Sequence, residues 1–208
     1  MTHGVHAVQH EVEHEIKHGE HHGGHTNLLD NINKKVALLI GVLALFLAFS
    51  ETLGKSAQTG AISYNIEAAN LWAFFQAKNI RRAVVLTAAE EMTVNAPAAP
   101  EVIKVAATKQ IDSWQKTAAR YRSEPETREG TTELAERAKE MEKKRETAMA
   151  KYHHYELASA AFQIGIVLAS ATVITGMLLL TWLALGLGGI GIVFTMIGLF
   201  APHAVHLF

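Results

Sequence analysis

The chain contains no cysteine among its 208 residues. This absence excludes a disulfide scaffold, a zinc site with cysteine ligands and a thiol nucleophile. Proline and glycine are scarce in residues 56–156, at three and two residues, and this region shows no alternation of apolar and polar side chains typical of strands. The composition therefore predicts an all-α chain.

The sequence also lacks an excess of either charge. It has 19 Lys and Arg against 20 Asp and Glu, and its net charge is −1. A balanced chain does not bind nucleic acid through a general basic field, so we expect no nucleic-acid partner. The charges are placed unevenly, however. Residues 51–156 hold 16 basic and 15 acidic side chains, whereas residues 157–208 hold none.

The longest stretch without charge predicts two crossings of a membrane. Over residues 157–201, 45 positions pass without Asp, Glu, Lys or Arg. A bilayer core takes about 20 apolar helical residues per crossing, and a soluble domain of this size cannot enclose two such helices. We expect transmembrane helices at 157–180 and 184–203, with the reversal near Thr181 and Trp182.

Three glycines in this stretch, Gly186, Gly188 and Gly191, match the spacing of a dinucleotide-binding loop. That motif needs a strand before it, a helix after it and an acidic residue about 20 positions later. Here the glycines lie in an apolar helical stretch, and no acidic residue follows. We interpret them as small residues that let helices approach closely, and we expect no nucleotide cofactor.

A shorter apolar run extends from Val36 to Phe49, directly after Lys34 and Lys35. Its 14 residues suit a core helix or a signal peptide as well as a crossing, but no Ala-x-Ala cleavage site follows it. Charged side chains near its ends can extend to the bilayer surface. We therefore predict a first transmembrane helix over residues 32–53.

Residues 56–156, between the first two crossings, predict an antiparallel, coiled-coil-like helical hairpin. Proline and glycine indicate a turn near 95–100 and a break near 123–130. Apolar and small residues recur at alternating steps of three and four. The expected contact residues of the first segment are Ile62, Ile66, Ala69, Ala73, Gln76, Ile80 and Val84. Those of the second are Ile103, Ala107, Gln110, Trp114, Thr117 and Tyr121. Those of the third are Leu134, Ala138, Met141, Arg145, Ala148, Tyr152 and Tyr155.

The segment from Leu71 to Arg81 reads LWAFFQAKNIR, and it resembles a bacterial membrane family, domain of unknown function 4337. The specific element is Trp-x-Phe-Phe-Gln-Ala-Lys. The likeness extends over most of the chain in layout: a His- and Glu-rich start, one crossing, a helical middle and a closing pair of crossings. The resemblance implies a bacterial membrane protein, and it transfers no catalytic residue because the family has no assigned chemistry.

The same segment is the predicted interaction surface. Its aromatic residues cover more than one face of a helix, so at least one ring should meet another helix or chain. No nucleophile–base pair or carboxylate dyad accompanies it, so we expect packing rather than a ligand site, and no enzyme activity. The predicted interaction residues are Trp72, Phe74, Phe75, Gln76, Lys78 and Trp114.

The first 25 residues hold eight of the 12 histidines. At about 100° per residue, six of them share one face of a helix and valines and an isoleucine share the opposite face, so residues 1–25 predict an amphipathic helix. The six are His3, His6, His10, His14, His18 and His21. Three interpretations remain open: a site for zinc or another divalent transition metal, a row that gains charge together near about pH 6.5, and a solvated tail.

Basic residues argue for both orientations of the chain in the membrane. The lysine pair at 34–35 favours a cytoplasmic N-terminus, whereas the basic cluster at 143–151 favours a cytoplasmic middle region. Because the first crossing usually dominates, we expect the N-terminus in the cytoplasm and residues 56–156 in the periplasm.

These features predict a membrane-anchored structural or assembly protein of the bacterial inner membrane. One hairpin buries little surface, so we expect a homo-oligomer, or docking of another membrane protein, with no catalysis. The alternative is an accessory protein for sensing or transport of divalent metal or of pH through the histidine row. Stand-alone transport is not expected, because the crossings contain no carboxylate or histidine pair.

Overall fold

The structure, a computed structural model, describes residues 23–205, and it describes side chains from residue 31 onward. Between residues 23 and 205 all regular structure is helical, as the composition predicts. The elements are α1 at Gly23–Asn95, a 3-10 helix at Ala96–Ala98, α2 at Glu101–Arg122, α3 at Thr131–Thr175 and α4 at Leu178–Phe200. The histidine row of residues 3–21 lies outside the described residues.

Three of the helices, α1, α3 and α4, contain stretches long and apolar enough to cross a membrane. The sequence-based expectation of three such helices is therefore confirmed in length and composition. In α1 the apolar stretch continues without a break into the charged residues beyond Ser50, so a single helix of 73 residues carries both.

The reversal between α3 and α4 lies at Gly176 and Met177, before the expected position at Thr181 and Trp182. Gly176 has a φ of 71°, a left-handed conformation that glycine adopts at little cost, and its amide donates to the carbonyl of Thr172 at 2.8 Å. Thr181 lies inside α4 instead, where its hydroxyl bonds to that of Thr172 at 3.1 Å. In the sequence, a lone glycine in an apolar run does not differ from a packing glycine.

Two prolines separate α1 from α2. Pro97 belongs to the 3-10 helix and has no N–H to continue the hydrogen bonding of α1. Pro100 precedes the first residue of α2, and its carbonyl accepts the amide of Ile103 at 2.9 Å. The chain therefore turns where proline removes the donor that a continuous helix needs.

The loop 123–130, between α2 and α3, is closed by side chains at its two ends. The carboxylate of Glu133 accepts the Ser123 hydroxyl at 2.5 Å and the next backbone amide at 3.3 Å. The Thr131 hydroxyl donates to the carbonyl of Arg122 at 3.2 Å. These bonds satisfy backbone amide and carbonyl groups near the ends of α2 and α3 that have no partner within a helix.

Contacts divide the described chain into two compact units. The apolar unit comprises the described residues up to Gly54 together with His153–Ala201, and the polar unit comprises Lys55–Tyr152 and the residues from Pro202. The buried clusters of the apolar unit are Val36 with Ala169 and Ala184, and Leu43 with Ala158 and Phe162.

Small residues bring α4 close to its neighbours in the apolar unit. The buried positions of α4 are Ala184, Gly188, Gly191, Thr195 and Gly198. A Cβ atom on Gly188 would lie 2.7 Å from the Leu43 side chain, and one on Gly191 would lie 2.7 Å from the Phe162 ring. The glycine motif thus lies within a packed helix, where it allows close approach.

The polar unit has its own core between α1 and α3. Its buried residues are Ala68, Leu71, Leu134, Ala138 and Met141. Around this core, Asn65 Oδ1 accepts from Arg145 Nη1 at 3.3 Å, and Lys78 Nζ lies 3.6 Å from Glu129 Oε2. Lys78 comes after Asn65 in the chain, whereas its partner Glu129 comes before Arg145, so the two contacting segments run in opposite directions.

The face of α1 that packs within the polar unit is not the predicted one. The predicted residues Ile62, Ile66, Ile80 and Val84 are 57, 56, 65 and 63% exposed. The row that packs inward consists of buried and half-buried residues, with the half-buried Trp72 beside it: Ala61, Tyr64, Ala68, Leu71, Phe75, Lys78, Arg82, Val85 and Ala89. Both sets repeat at steps of three and four, and they lie on nearly opposite sides of the helix, about 170° apart. The set with the aromatic rings packs because it buries more apolar area.

The predicted faces of the other two segments agree better with the structure. On α3, Leu134, Ala138, Met141 and Ala148 are buried. On α2, Ala107 is buried, and the half-buried predicted residues are Trp114, Thr117 and Tyr121. The exceptions are Ile103 and Gln110, which are exposed.

Candidate functional site

Trp72 and Phe75 are packing residues of the polar unit. The Trp72 indole Nε1 donates to Glu142 Oε1 at 2.9 Å, and the two rings meet edge to face with centroids 5.4 Å apart. Both rings pack against the core that contains Leu71 and Leu134. Ring pairs of this kind contribute about 0.5–1.5 kcal/mol beyond their area. These two residues therefore hold α1 against α3, which agrees with the packing interpretation of the motif.

Lys78 is a buried cation, with 7% of its surface exposed. Its Nζ lies 3.5 Å from Glu124 Oε2, 5.3 Å from the centre of the Phe74 ring and 6.0 Å from that of Tyr121. A second carboxylate, that of Glu129, lies at 3.6 Å. A buried charge is tolerated when partners of this kind surround it. Lys78 thus ties loop 123–130 to α1.

Hydrogen bonds lower the pKa of both carboxylates at this loop. Arg120 Nη2 donates to Glu124 Oε1 at 2.8 Å, and this bond is the main cause of the lowered pKa of Glu124. The Ser123 hydroxyl is the main cause of the lowered pKa of Glu133. Both carboxylates are therefore ionised at neutral pH and accept hydrogen bonds, which suits a structural role rather than proton transfer.

Gln76 lies on the other side of α1, in a row of exposed residues that we call the exposed face. Its members, at alternating steps of three and four, are Thr59, Ile62, Ile66, Ala69, Ala73, Gln76, Ile80, Ala83 and Thr87. None of the nine is charged, and the next positions in the same row are Lys55 and Glu90. The exposed face contains six of the seven predicted first-segment contact residues, and the seventh, Val84, is also exposed. The structure thus places the predicted contact surface at the outside of the polar unit. Trp114 is not part of it.

A groove of about 400 Å³ lies between α1 and α3 within the polar unit, and we call it the lysine groove. Its charged lining consists of Lys143, Lys144, Lys151 and Glu140. Lys144 Nζ lies 2.8 Å from Glu140 Oε1, and this contact raises the pKa of Lys144 and lowers that of Glu140. Within residues 31–205, Lys143 and Lys151 make no ion pair. The groove forms from two segments far apart in the chain, so these lysines carry no signal of it in the sequence, where they bear only on orientation.

Several polar side chains lie in the apolar unit. The Ser50 hydroxyl donates to the Tyr155 carbonyl at 3.1 Å, and Gln163 Nε2 donates to Glu51 Oε1 at 3.2 Å. His154 is 1% exposed, and its ring stacks on Phe194 at 6.2 Å. In the sequence, one histidine beside another at the end of a charged segment gives no signal of burial, so the burial of His154 could not be predicted.

The histidines predicted as metal ligands lie outside the described residues. In the part of the chain that the structure describes, no group of three or more His, Asp and Glu side chains is placed to hold a metal ion. The exposed face and the lysine groove are two described surfaces with the features of a binding site.

Comparison with known proteins identifies the family. No curated protein and no solved structure matches the chain. One family model matches residues 32–201, which include the LWAFFQAKNIR segment, most of α1 and all of α2, α3 and α4. Because this match covers more than half of the sequence, the chain belongs to the family described as "Domain of unknown function (DUF4337)".

Proposed function

We propose that this chain is a membrane-anchored structural protein that assembles with a second copy of itself through the exposed face of α1. The observation that carries the proposal is the exposed face itself, in which Ile62, Ile66 and Ile80 are each more than half exposed. Single exposed apolar residues are ordinary on proteins. A continuous uncharged row at steps of three and four is the surface on which another helix packs by knobs into holes.

The exposed face is complementary to itself, which favours a second copy over a different partner. Two copies in one membrane pair in parallel about a two-fold axis, so each residue of the face meets its own counterpart. Gln76 then meets Gln76, and a carboxamide both donates and accepts hydrogen bonds. A single polar residue in such a row fixes the register of the pair. The exposed face carries no charge between Lys55 and Glu90, so within this row like charges do not oppose pairing.

The membrane placement is also part of the proposal. We place the chain in the bacterial inner membrane, with the N-terminus cytoplasmic and residues 56–156 periplasmic as an antiparallel helical hairpin. The lysine pair at 34–35, next to the first apolar stretch, supports this orientation. The contacts of Asn65 with Arg145 and of Trp72 with Glu142 support the hairpin.

Disulfide cross-linking tests the parallel pairing cleanly, because the chain has no native cysteine. Gln76→Cys, oxidised mildly in native membranes, should give a covalent dimer on a non-reducing gel, since facing Cα atoms of a two-stranded row lie within disulfide reach. The matched control is Gln110→Cys, an exposed glutamine on α2, which should stay monomeric. Equal cross-linking of the two variants, or none at Gln76→Cys, would contradict the proposal.

The alternative function, sensing or transport of a divalent metal or of protons through the histidine row, rests on residues outside the described range. Nothing among residues 23–205 favours it over the structural role.

A further inference from the structure

The lysine groove carries a surplus of positive charge. Three lysines and one glutamate line it, and the glutamate, Glu140, is paired with Lys144. Lys143 and Lys151 make no ion pair with any residue that the structure describes. Two ammonium groups at one groove attract an anion, and each offers three N–H donors. The charge of the lining therefore selects an anionic ligand.

The uncharged residues of the lining add hydroxyl donors and leave space for a small ligand. Ser56 and Tyr64 supply hydroxyl groups, and Gly60 supplies no side chain at all. A Cβ atom on Gly60 would meet only the Tyr64 ring, at 3.9 Å. Phosphate oxygens are acceptors only, so they bind where ammonium and hydroxyl donors converge. The volume is in the range of sites for small ligands, which begins at about 300 Å³.

The position of the groove along its helices points to a lipid as the source of the phosphate. Ser56 follows the end of the first crossing, at Leu53, by three residues, and Lys151 precedes the start of the second, at Leu157, by six. These separations are about 4.5 and 9 Å along a helix. The headgroup layer is about 5–8 Å thick on each side of the hydrocarbon core. Ser56 thus lies at headgroup depth, and Lys151 lies just outside this layer, within reach of its own long side chain.

We propose that the lysine groove binds the phosphate of an anionic phospholipid headgroup, such as that of phosphatidylglycerol. Lys151 attracts the phosphate, and the Ser56 hydroxyl bonds one of its oxygens. Lys143 and Tyr64 lie about 12 Å farther along their helices and add positive charge and a hydroxyl at the outer end of the groove. The proposal rests on the membrane insertion proposed above, but not on self-association. Gly60 and Tyr64 lie on a different side of α1 from the exposed face, so the two proposals fail or stand separately.

Native mass spectrometry of the full chain in a neutral detergent measures the binding directly. Phosphatidylglycerol and phosphatidylcholine with the same acyl chains are added in parallel. We expect phosphatidylglycerol to bind at least about tenfold more tightly, because the lysines of the groove favour a lipid with net negative charge. Equal affinities for the two lipids would overturn the proposal.

Paired substitutions test whether the groove, rather than the general charge of the chain, holds the lipid. Lys143→Gln with Lys151→Gln should weaken phosphatidylglycerol binding by about 30-fold. The matched control is Lys109→Gln with Lys139→Gln, two exposed lysines outside the groove, which should leave binding within about twofold. The same loss in both double variants would overturn the proposal.

A third variant fills the groove without changing its charge. Gly60→Leu keeps all three lysines and replaces glycine with a better helix former, so the variant should fold. It should lose most phosphatidylglycerol binding, and unchanged binding would show that the lipid sits elsewhere. Inorganic phosphate, added at the lipid's concentration, should not displace the lipid. Full displacement would identify a free-phosphate site and overturn the lipid assignment.

Discussion

Gly191 shows how much of the apolar unit depends on the absence of one side chain. A Cβ atom there would lie 2.7 Å from the ring of Phe162, a side chain that is fully buried. Gly189, two residues earlier on the same helix, has nothing within 4 Å of its own Cβ position. The two glycines look alike in the sequence, and only the fold separates a close contact from open space.

The substitution Gly191→Ala should therefore destabilise the chain relative to Gly189→Ala. Alanine raises helix propensity by the same amount at both positions, so the difference isolates the contact with Phe162. Overpacking of a filled core costs about 1–3 kcal/mol. Thermal unfolding in detergent, followed by circular dichroism, measures the difference. Equal midpoints for the two variants would show that the ring can move aside.

At the scale of elements, sequence patterns located the helices better than they located their contacts. The breaks near Pro97 and Pro125 follow from backbone chemistry, and α3 carries a single apolar row, so both could be predicted. Helix α1 carries two rows, and periodicity alone does not say which one packs inward. The row with Tyr64 and Phe75 packs within the unit because its rings fill space, and the isoleucine row stays exposed. Partners from distant segments, such as Glu124 at Lys78, leave no local signal.

Loop 123–130 should make the stability of the chain depend on pH in acid. The pKa values of Glu124 and Glu133 are lowered from 4.5, so their contribution is fully present above pH 4.5 and is lost as the pH falls through the lowered values. We expect the unfolding midpoint to fall as the pH drops below 4.5. In Glu133→Gln the midpoint should be lower at pH 7 and less sensitive to acid. Parallel curves for the variant and the wild type would rule out a contribution from Glu133.

At the scale of the whole molecule, length and composition predicted three helices able to cross a membrane, and the structure has them. Orientation could not be settled in the same way, because lysines flank both the first and the second apolar stretch. The reversal at Gly176 escaped prediction for a related reason. In an apolar sequence, hydropathy does not mark where a helix stops.

Single cysteines should report the proposed orientation. In spheroplasts, a membrane-impermeant maleimide should label Ser63→Cys, which is exposed on α1 and periplasmic in our proposal. Met177→Cys, at the reversal between α3 and α4, should react only after lysis, because the second crossing returns the chain to the cytoplasm. The opposite pattern would place the N-terminus outside, and labelling of both positions in spheroplasts would rule out the three-crossing arrangement.

The exposed face also bears on how much of the protein a cell retains. A copy that has not paired displays Ile62, Ile66 and Ile80 to water, and quality-control proteases and chaperones recognise such apolar surface. A paired copy covers the same residues. The proposed pairing would then protect the chain from degradation, and unpaired copies would be degraded. The amount of chain would be set by assembly rather than by synthesis alone.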